Sequence, residues 1–272
     1  MLNTVQRVGR VTTQTVANLG RFSRFAGGTI SSALTGLRQW RSWQLIFPQF
    51  WDIGTCSLPV VLLTGTFVGM VIAVQAYAQF YNVGLANQLG SIINVSVIRE
   101  LGPVLAGVML AGRVGGSLTA ELGTMKITEQ IEALRSMGAD PLRVLAAPRF
   151  LACLLMIPFL TIYTDLTGVL GAYFICVDVH GVNAADYWRY SAQVVESWDV
   201  FAGLLKSFFF GGAIGLISCY KGFYSSRGAS GVGRACTEGF VLNFIVILAL
   251  DLFLAVLLAA IYECIWGLRT WV

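Results

Sequence analysis

Apolar and polar positions along this chain fall into long blocks, not into the alternation of a strand or the narrow stripe of a surface helix. From Ile53 through Ile98 there is no Asp, Glu, Lys or Arg. A helix needs about 20 apolar residues to cross the hydrocarbon core of a bilayer. Five stretches supply them, at about 53–76, 92–120, 150–177, 200–220 and 240–266. The second carries Arg99 and Glu100 near one end, Asp165 interrupts the third, Lys206 lies inside the fourth, and Asp251 sits near the centre of the fifth. The pattern predicts an all-α integral membrane protein with five transmembrane helices.

Residues 1–50 break the pattern. They are too polar to span, yet Phe22, Phe25, Trp40, Trp43, Phe47 and Trp51 are interleaved with arginines. Rings beside basic residues suit the headgroup region, so the segment reads as amphipathic helices lying on the membrane face, with a disordered basic tail as the alternative for residues 1–20. The chain then divides into an interfacial segment at 1–50 and a five-span membrane domain at 51–272. No apolar run of signal-peptide type occurs before residue 44, so the N-terminus is expected to be retained.

Composition agrees, with 56% hydrophobic and 12% charged residues and a mean hydropathy of +0.73, against roughly 25% charged in soluble domains. The net charge of +4 reads as orientation and not as nucleic-acid binding. Six arginines precede span one (Arg7, Arg10, Arg21, Arg24, Arg38, Arg41). Five cations fall around the connection from span two to three (Arg113, Lys126, Arg135, Arg143, Arg149), and three between spans four and five (Lys221, Arg227, Arg234). The opposite side has Arg189 and Arg269 only, and its long loop, 178–199, holds Asp178, Asp186, Glu196 and Asp199. Fourteen against two places the N-terminus in the cytoplasm and the C-terminus outside. Cys56, Cys153, Cys176, Cys219, Cys236 and Cys264 form no C-x-x-C pair and read as buried, inert thiols. Gly65-x-x-x-Gly69, Gly112-x-x-x-Gly116 and Gly211-x-x-x-Gly215 imply tight helix packing, a homodimer seam included.

One stretch is neither apolar nor loop-like: TMKITEQIEALRSMGADPLRVLAAPR, 124–149. Thr128 reads as an N-cap, Glu129 and Glu132 oppose the positive end of the helix dipole, and Arg135 sits late. Gly138 follows as a C′ residue, and Asp140-Pro141 restarts the chain as N-cap and N1 proline. A helix over 128–137 is too short to stand alone in water. Ile127, Ile131 and Leu134 form its apolar stripe, with Glu129, Gln130, Glu132 and Arg135 around it. Docking of a soluble partner and packing on the chain's own membrane domain are both open.

The run RELGPVLAGVMLAGRVGGSLTAELGTMKITEQIEALRSMGADPLRVLAAPR, Arg99 to Arg149, resembles the signature region of the MlaE-type permeases, the membrane subunits of ABC transporters that work with MCE proteins. The likeness continues through Asp165-Leu166-Thr167-Gly168 and the L-D-L around Asp251, and covers most of the chain from about residue 40; residues 1–35 and the outer loop carry no family motif. The resemblance implies a coupling helix at Thr128 to Met137, inserted into a groove of an ATPase subunit through Thr128, Glu129, Gln130, Glu132, Leu134 and Arg135. It implies a homodimeric permease in a bacterial inner membrane, a dimer of separate ATPase subunits, a ring of MCE subunits outside and a small STAS-domain protein. The implied substrates are phospholipids or other hydrophobic lipids.

The chain itself is expected to be no enzyme. The nearest approach to a Walker A loop, GASGVGRA at 228–235, lacks the Lys and the hydroxyl residue, and reads as a flexible cytoplasmic turn. ATP and Mg would belong to the partner. His180 has no neighbouring ligand set, reads as solvated, and leaves no metal site. The informative groups are charges within the spans, each costing about 2.5–3.5 kcal/mol at a helix centre. Arg99, Glu100, Lys206 and Asp251 supply both signs, and the resemblance assigns them to the central cavity and dimer seam. The expectation is of intramembrane ion pairs that gate the cavity, with simple helix-to-helix glue as the alternative. Asp165, Gln75 and Asn243 are further polar candidates for lining or packing. A secondary transporter or channel driven by an ion gradient is the alternative function; the acids fit it, but no inverted repeat is found.

Overall fold

The computed structural model describes residues 2–37, 40–81 and 88–267. Arg38 and Arg269 of the charge count lie outside the described residues, as do the side chains of Arg7, Arg10, Trp40, Arg41 and Trp43. The regular elements among the described residues are helices: α1 (Leu2–Leu37), α2 (Trp40–Ile53), α3 (Leu58–Tyr81), α4 (Leu89–Ser96), α5 (Gly102–Leu110), α6 (Gly116–Ile127), α7 (Gln130–Ser136), α8 (Ala147–Tyr173), α9 (Ala184–Val194), α10 (Ser197–Phe223) and α11 (Ala229–Trp266).

Five helical stretches are long and apolar enough to cross a membrane: Gln44–Tyr81, Leu89–Ile127, Leu142–Val179, Ser197–Phe223 and Ala229–Ile265. Their number agrees with the apolar blocks, but four of them are much longer. At 1.5 Å per residue, the 39 residues of span two extend roughly 58 Å, about twice the hydrocarbon thickness. The apolar block marks only the part in lipid; the helix continues into the polar sequence on either side. GASGVGRA is a case in point. Only Gly228, at φ +88°, turns the chain, and Ala229 to Ala235 already belong to span five, so the expected flexible turn is in fact the first two turns of a helix.

Span two is α4, α5 and α6 joined by two wide i→i+5 turns, Val97–Leu101 and Ala111–Gly115. Span three has such turns at both ends, Leu142–Ala146 and Phe174–Val179. Wide turns of this kind are frequent at functional sites.

Spans one and three pack closely enough to demand glycine. A Cβ on Gly69 would stand 1.9 Å from the carbonyl oxygen of Gly168, and one on Gly65 would stand 2.5 Å from that of Thr164. Gly211 and Gly215 likewise meet Cys153 and Phe150 of span three. Two of the three small-residue motifs are therefore used inside the monomer, whereas a Cβ on Gly116 would meet nothing within 4 Å. The central core gathers Val61, Leu110, Ile157, Phe210, Ile214 and Ile247 from all five spans.

The N-terminal segment is helical: α1 is pinned to the end of span four by Phe22 and Phe25, whose rings lie 5.3 and 5.6 Å from that of Tyr220. Loop 178–199 holds α9, capped by Asn183, whose side chain accepts from the amide of Ala185. It docks on span two through Asn94, which donates to Ser191 Oγ at 2.8 Å and accepts from the Tyr187 hydroxyl at 2.9 Å. Burial pushes the Tyr187 hydroxyl above the usual phenol range. His180 is not simply solvated; its ring stacks on Tyr77 at 3.8 Å. Cys153, Cys176 and Cys219 are buried, but Cys56 and Cys264 are exposed, because apolar surroundings in a membrane chain include the lipid-facing side.

Candidate functional site: an intramembrane ion network and an exposed short helix

The wide turn Val97–Leu101 carries Arg99 and Glu100 side by side, with Arg99 Nε 3.8 Å from Glu100 Oε1. Lys206, 1% exposed on span four, reaches across to Glu100 and to Asp251, whose Oδ1 is 3.1 Å from its Nζ. The four intramembrane charges picked out by their cost in lipid are thus one contiguous network drawn from spans two, four and five. A buried ammonium between two carboxylates has its desolvation offset by two opposite charges.

A fifth member stands in what reads as an outer-loop position. Asp199 is completely buried, and its Oδ1 lies 3.8 Å from Arg99 Nη1. Span four starts earlier than its apolar block: Glu196 is its N-cap, and Asp199 at N3 accepts from the Glu196 amide at 3.1 Å in a capping box. That E-x-x-D spacing before an apolar run is the signal that could have found it. The network therefore sets two cations against three carboxylates, and Glu100, with 41% of its side chain exposed, is its open edge.

Of the remaining polar candidates, Asp165 faces span two so closely that a Cβ on Gly102 would sit 1.7 Å from its Oδ1. It borders an apolar pocket of about 320 Å³ with Ile98, Leu166 and Trp188. Asn243 is fully buried and donates to Ser218 Oγ at 3.0 Å, tying span five to span four. Gln75 lies exposed on span one.

At the other end of the spans, the short helix is α7, Gln130–Ser136. Its start differs from the capping expectation. Thr128 terminates α6, its hydroxyl bonded back to the Thr124 carbonyl at 2.9 Å. Glu129 makes the break in the left-handed region at φ 58°, a conformation that costs a non-glycine residue about 1–2 kcal/mol. The end agrees with expectation: Gly138 has φ +76°, its amide reaches the Arg135 carbonyl, and the Ala139 amide reaches that of Leu134, a Schellman closure. Asp140 then accepts from the Leu142 amide at 3.0 Å as the next cap.

The apolar side of α7 is occupied by its own chain. Ile131 is 2% exposed and shares a cluster with Phe25, Leu145 and Phe223, with Leu134 packed against it. Ile127, expected in the same stripe, is 38% exposed, because the break at Glu129 takes it off the face of α7. Thr128, Glu129, Gln130, Glu132 and Arg135 are all exposed, so the charged face is what α7 offers outward.

Below α7, Arg149 is buried and donates through Nε and Nη2 to Glu121 Oε2 at 3.2 and 2.9 Å, and through Nη1 to the Leu145 carbonyl. It clamps span three to span two. No local pattern announces a pair 28 residues apart.

Five long apolar helices, a charge network buried among them and a short polar helix beyond their ends mark a multi-pass membrane protein. Residues 46–257 match the family described as Permease MlaE. The chain is 34% identical over 260 residues (95% of this chain, 98% of the relative) to the intermembrane phospholipid transport system permease protein MlaE of Haemophilus influenzae. It is 40% identical over 248 residues (91% and 95%) to a probable ABC transporter permease protein of Rickettsia bellii. Against the chloroplast protein TRIGALACTOSYLDIACYLGLYCEROL 1 of Arabidopsis thaliana it is 35% identical over 230 residues (85% and 65%). The chain belongs to the MlaE permease family.

Proposed function

We infer that this chain is the membrane subunit of an ABC-type lipid transporter, moving phospholipid or a related hydrophobic lipid between the inner membrane and an MCE-domain partner on the outer side. The observation that carries this reading is the match of residues 46–257 to the MlaE permeases, together with the phospholipid transport for which the Haemophilus influenzae relative is named. Energy would come from a separate ATPase dimer docked on the exposed face of α7. A homodimer, with an STAS-domain protein as accessory, completes the proposed assembly, its N-terminus cytoplasmic and α1 and α2 at the interface. Spans one and five expose the apolar surface that acyl chains require, with Leu63, Phe67 and Val71 on the first and Leu252, Phe253 and Val256 on the second.

In this reading the ion network sits where spans two, four and five meet, and Glu100 is the member free to change partner. Closing of the ATPase would move α7, and with it the adjoining end of span two, and the Arg149–Glu121 clamp would carry span three along. A secondary transporter would need no soluble partner, so the deciding experiment is a pull-down of the native complex joined to a lipid-transfer measurement. Wild-type chain is expected to bring down an ATPase subunit, and Glu129→Lys with Glu132→Lys to lose both that subunit and ATP-dependent transfer. Recovery of no ATPase, with transfer undiminished in the double variant, would sink the reading.

A further inference from the structure

A groove of about 770 Å³ runs between α1 and the adjoining ends of spans four and five. Its interior is apolar, walled by Leu19 and Phe22 of α1, Ile217 of span four, and Leu242 and Val246 of span five. Its rim is charged, with Arg21, Lys221, Arg234 and Glu238. Lys221 and Glu238 satisfy one another at 2.9 Å. Among the described ion pairs, none gives Arg21 or Arg234 a carboxylate; Arg21 donates to the neutral Asn18 side chain. The rim therefore sets three cations against one carboxylate, Glu238, which also feels Arg234, and so presents a net positive charge above a hydrocarbon-like floor.

The depth also fits an amphiphile. From Arg234 to Val246 the helix rises roughly 18 Å, the distance from a headgroup well into one leaflet, and Leu242 is 37% exposed along that path.

We propose that this groove holds a resident anionic phospholipid, its phosphate against Arg21 and Arg234 and an acyl chain along Leu242 and Val246. It is a site distinct from the ion network, and the inference does not rest on the transport reading. It has a structural consequence. Arg21 and Tyr224 also wall the neighbouring cleft of about 550 Å³ that reaches Ile131 and Glu132 of α7, so lipid bound here braces α1 against the element proposed to meet the ATPase.

The test is native mass spectrometry of the purified full chain in detergent, titrated with phosphatidylglycerol and with phosphatidylcholine of the same acyl chains. Wild type is expected to retain phosphatidylglycerol in preference, and Arg21→Gln with Arg234→Gln to lower that retention about tenfold. Arg227→Gln, a cation outside the groove, should leave it unchanged. Leu242→Trp, which fills the floor without altering charge, should lower it as well, so the proposal does not depend on one variant's folding. Excess glycerol 1-phosphate should displace nothing, because the chain is needed for binding; displacement by it would mark a free-phosphate site and overturn the lipid assignment. Equal retention of the two lipids by wild type, or full retention by the double arginine variant or by Leu242→Trp, would overturn it too.

Discussion

Lys206 shows how one side chain decides a region. It is 1% exposed, yet its ammonium reaches both Glu100 and Asp251. Lys206→Met would leave those two carboxylates facing an apolar side chain. Removing one partner of a buried pair costs about 3–5 kcal/mol; with Glu100 41% exposed, solvent screening reduces this to about 2 kcal/mol. That loss should appear as a drop of about 4–8 °C in the unfolding midpoint in detergent, and Asp251→Leu added to it should restore part of the loss. A charge swap separates gate from glue. Lys206→Glu with Asp251→Lys is expected to recover the assembled protein on size-exclusion chromatography but not lipid transfer; recovery of both would leave the pair as glue alone. These residues were legible because a charge inside an apolar block has one physical excuse, an opposite charge on a neighbouring span. Asp199 was not, because its block begins after it, and burial by a capping box is invisible to a hydropathy count.

Among the elements, α7 gives the sharpest test. Its end was readable from Gly138 and Asp140, since both residues perform local backbone chemistry. Its start was not, because Thr128 has the chemistry of an N-cap but spends its hydroxyl on the preceding turn. Three substitutions should therefore rank in an order that simple capping would not give. Thr128→Ala should change stability by less than about 0.5 kcal/mol, against the ~1 kcal/mol of a true N-cap. Gly138→Ala should cost about 1 kcal/mol at its positive φ. Glu129→Gly should stabilise by up to about 1 kcal/mol by relieving a left-handed non-glycine residue, while weakening ATPase capture if Glu129 is held there for docking. Thermal unfolding of the three variants, with the pull-down for the last, checks the order. The apolar stripe was half legible: Ile131 and Leu134 pack inward, but extrapolating the helical period back to Ile127 ignored the break at Glu129.

For the whole molecule, span number was the strongest signal in the sequence, because the bilayer imposes it on length directly. The packing of span one on span three and the Arg149–Glu121 clamp were not visible, being contacts between distant segments with no shared period. Orientation is testable with a membrane-impermeant thiol reagent in a background lacking the native exposed cysteines. Ser136→Cys on α7 should label only when the cytoplasmic face is accessible, and Asp186→Cys on α9 only from outside; labelling of both from one side would refute the five-span orientation.

The wide turns of span two carry one more implication. Each adds a residue to a turn, and one residue in an α-helix is worth roughly 100° of rotation. Span two is therefore three short helices whose faces are re-indexed at two joints, with Arg99 and Glu100 on the turn between the first two and Arg113 on the turn between the others. Deleting a single residue at Ile98 would leave the span's composition and length almost untouched, yet would re-index everything on one side of it. A lone deletion there should be tolerated by the membrane and not by the mechanism, so relatives that differ in length are expected to place their insertions and gaps elsewhere.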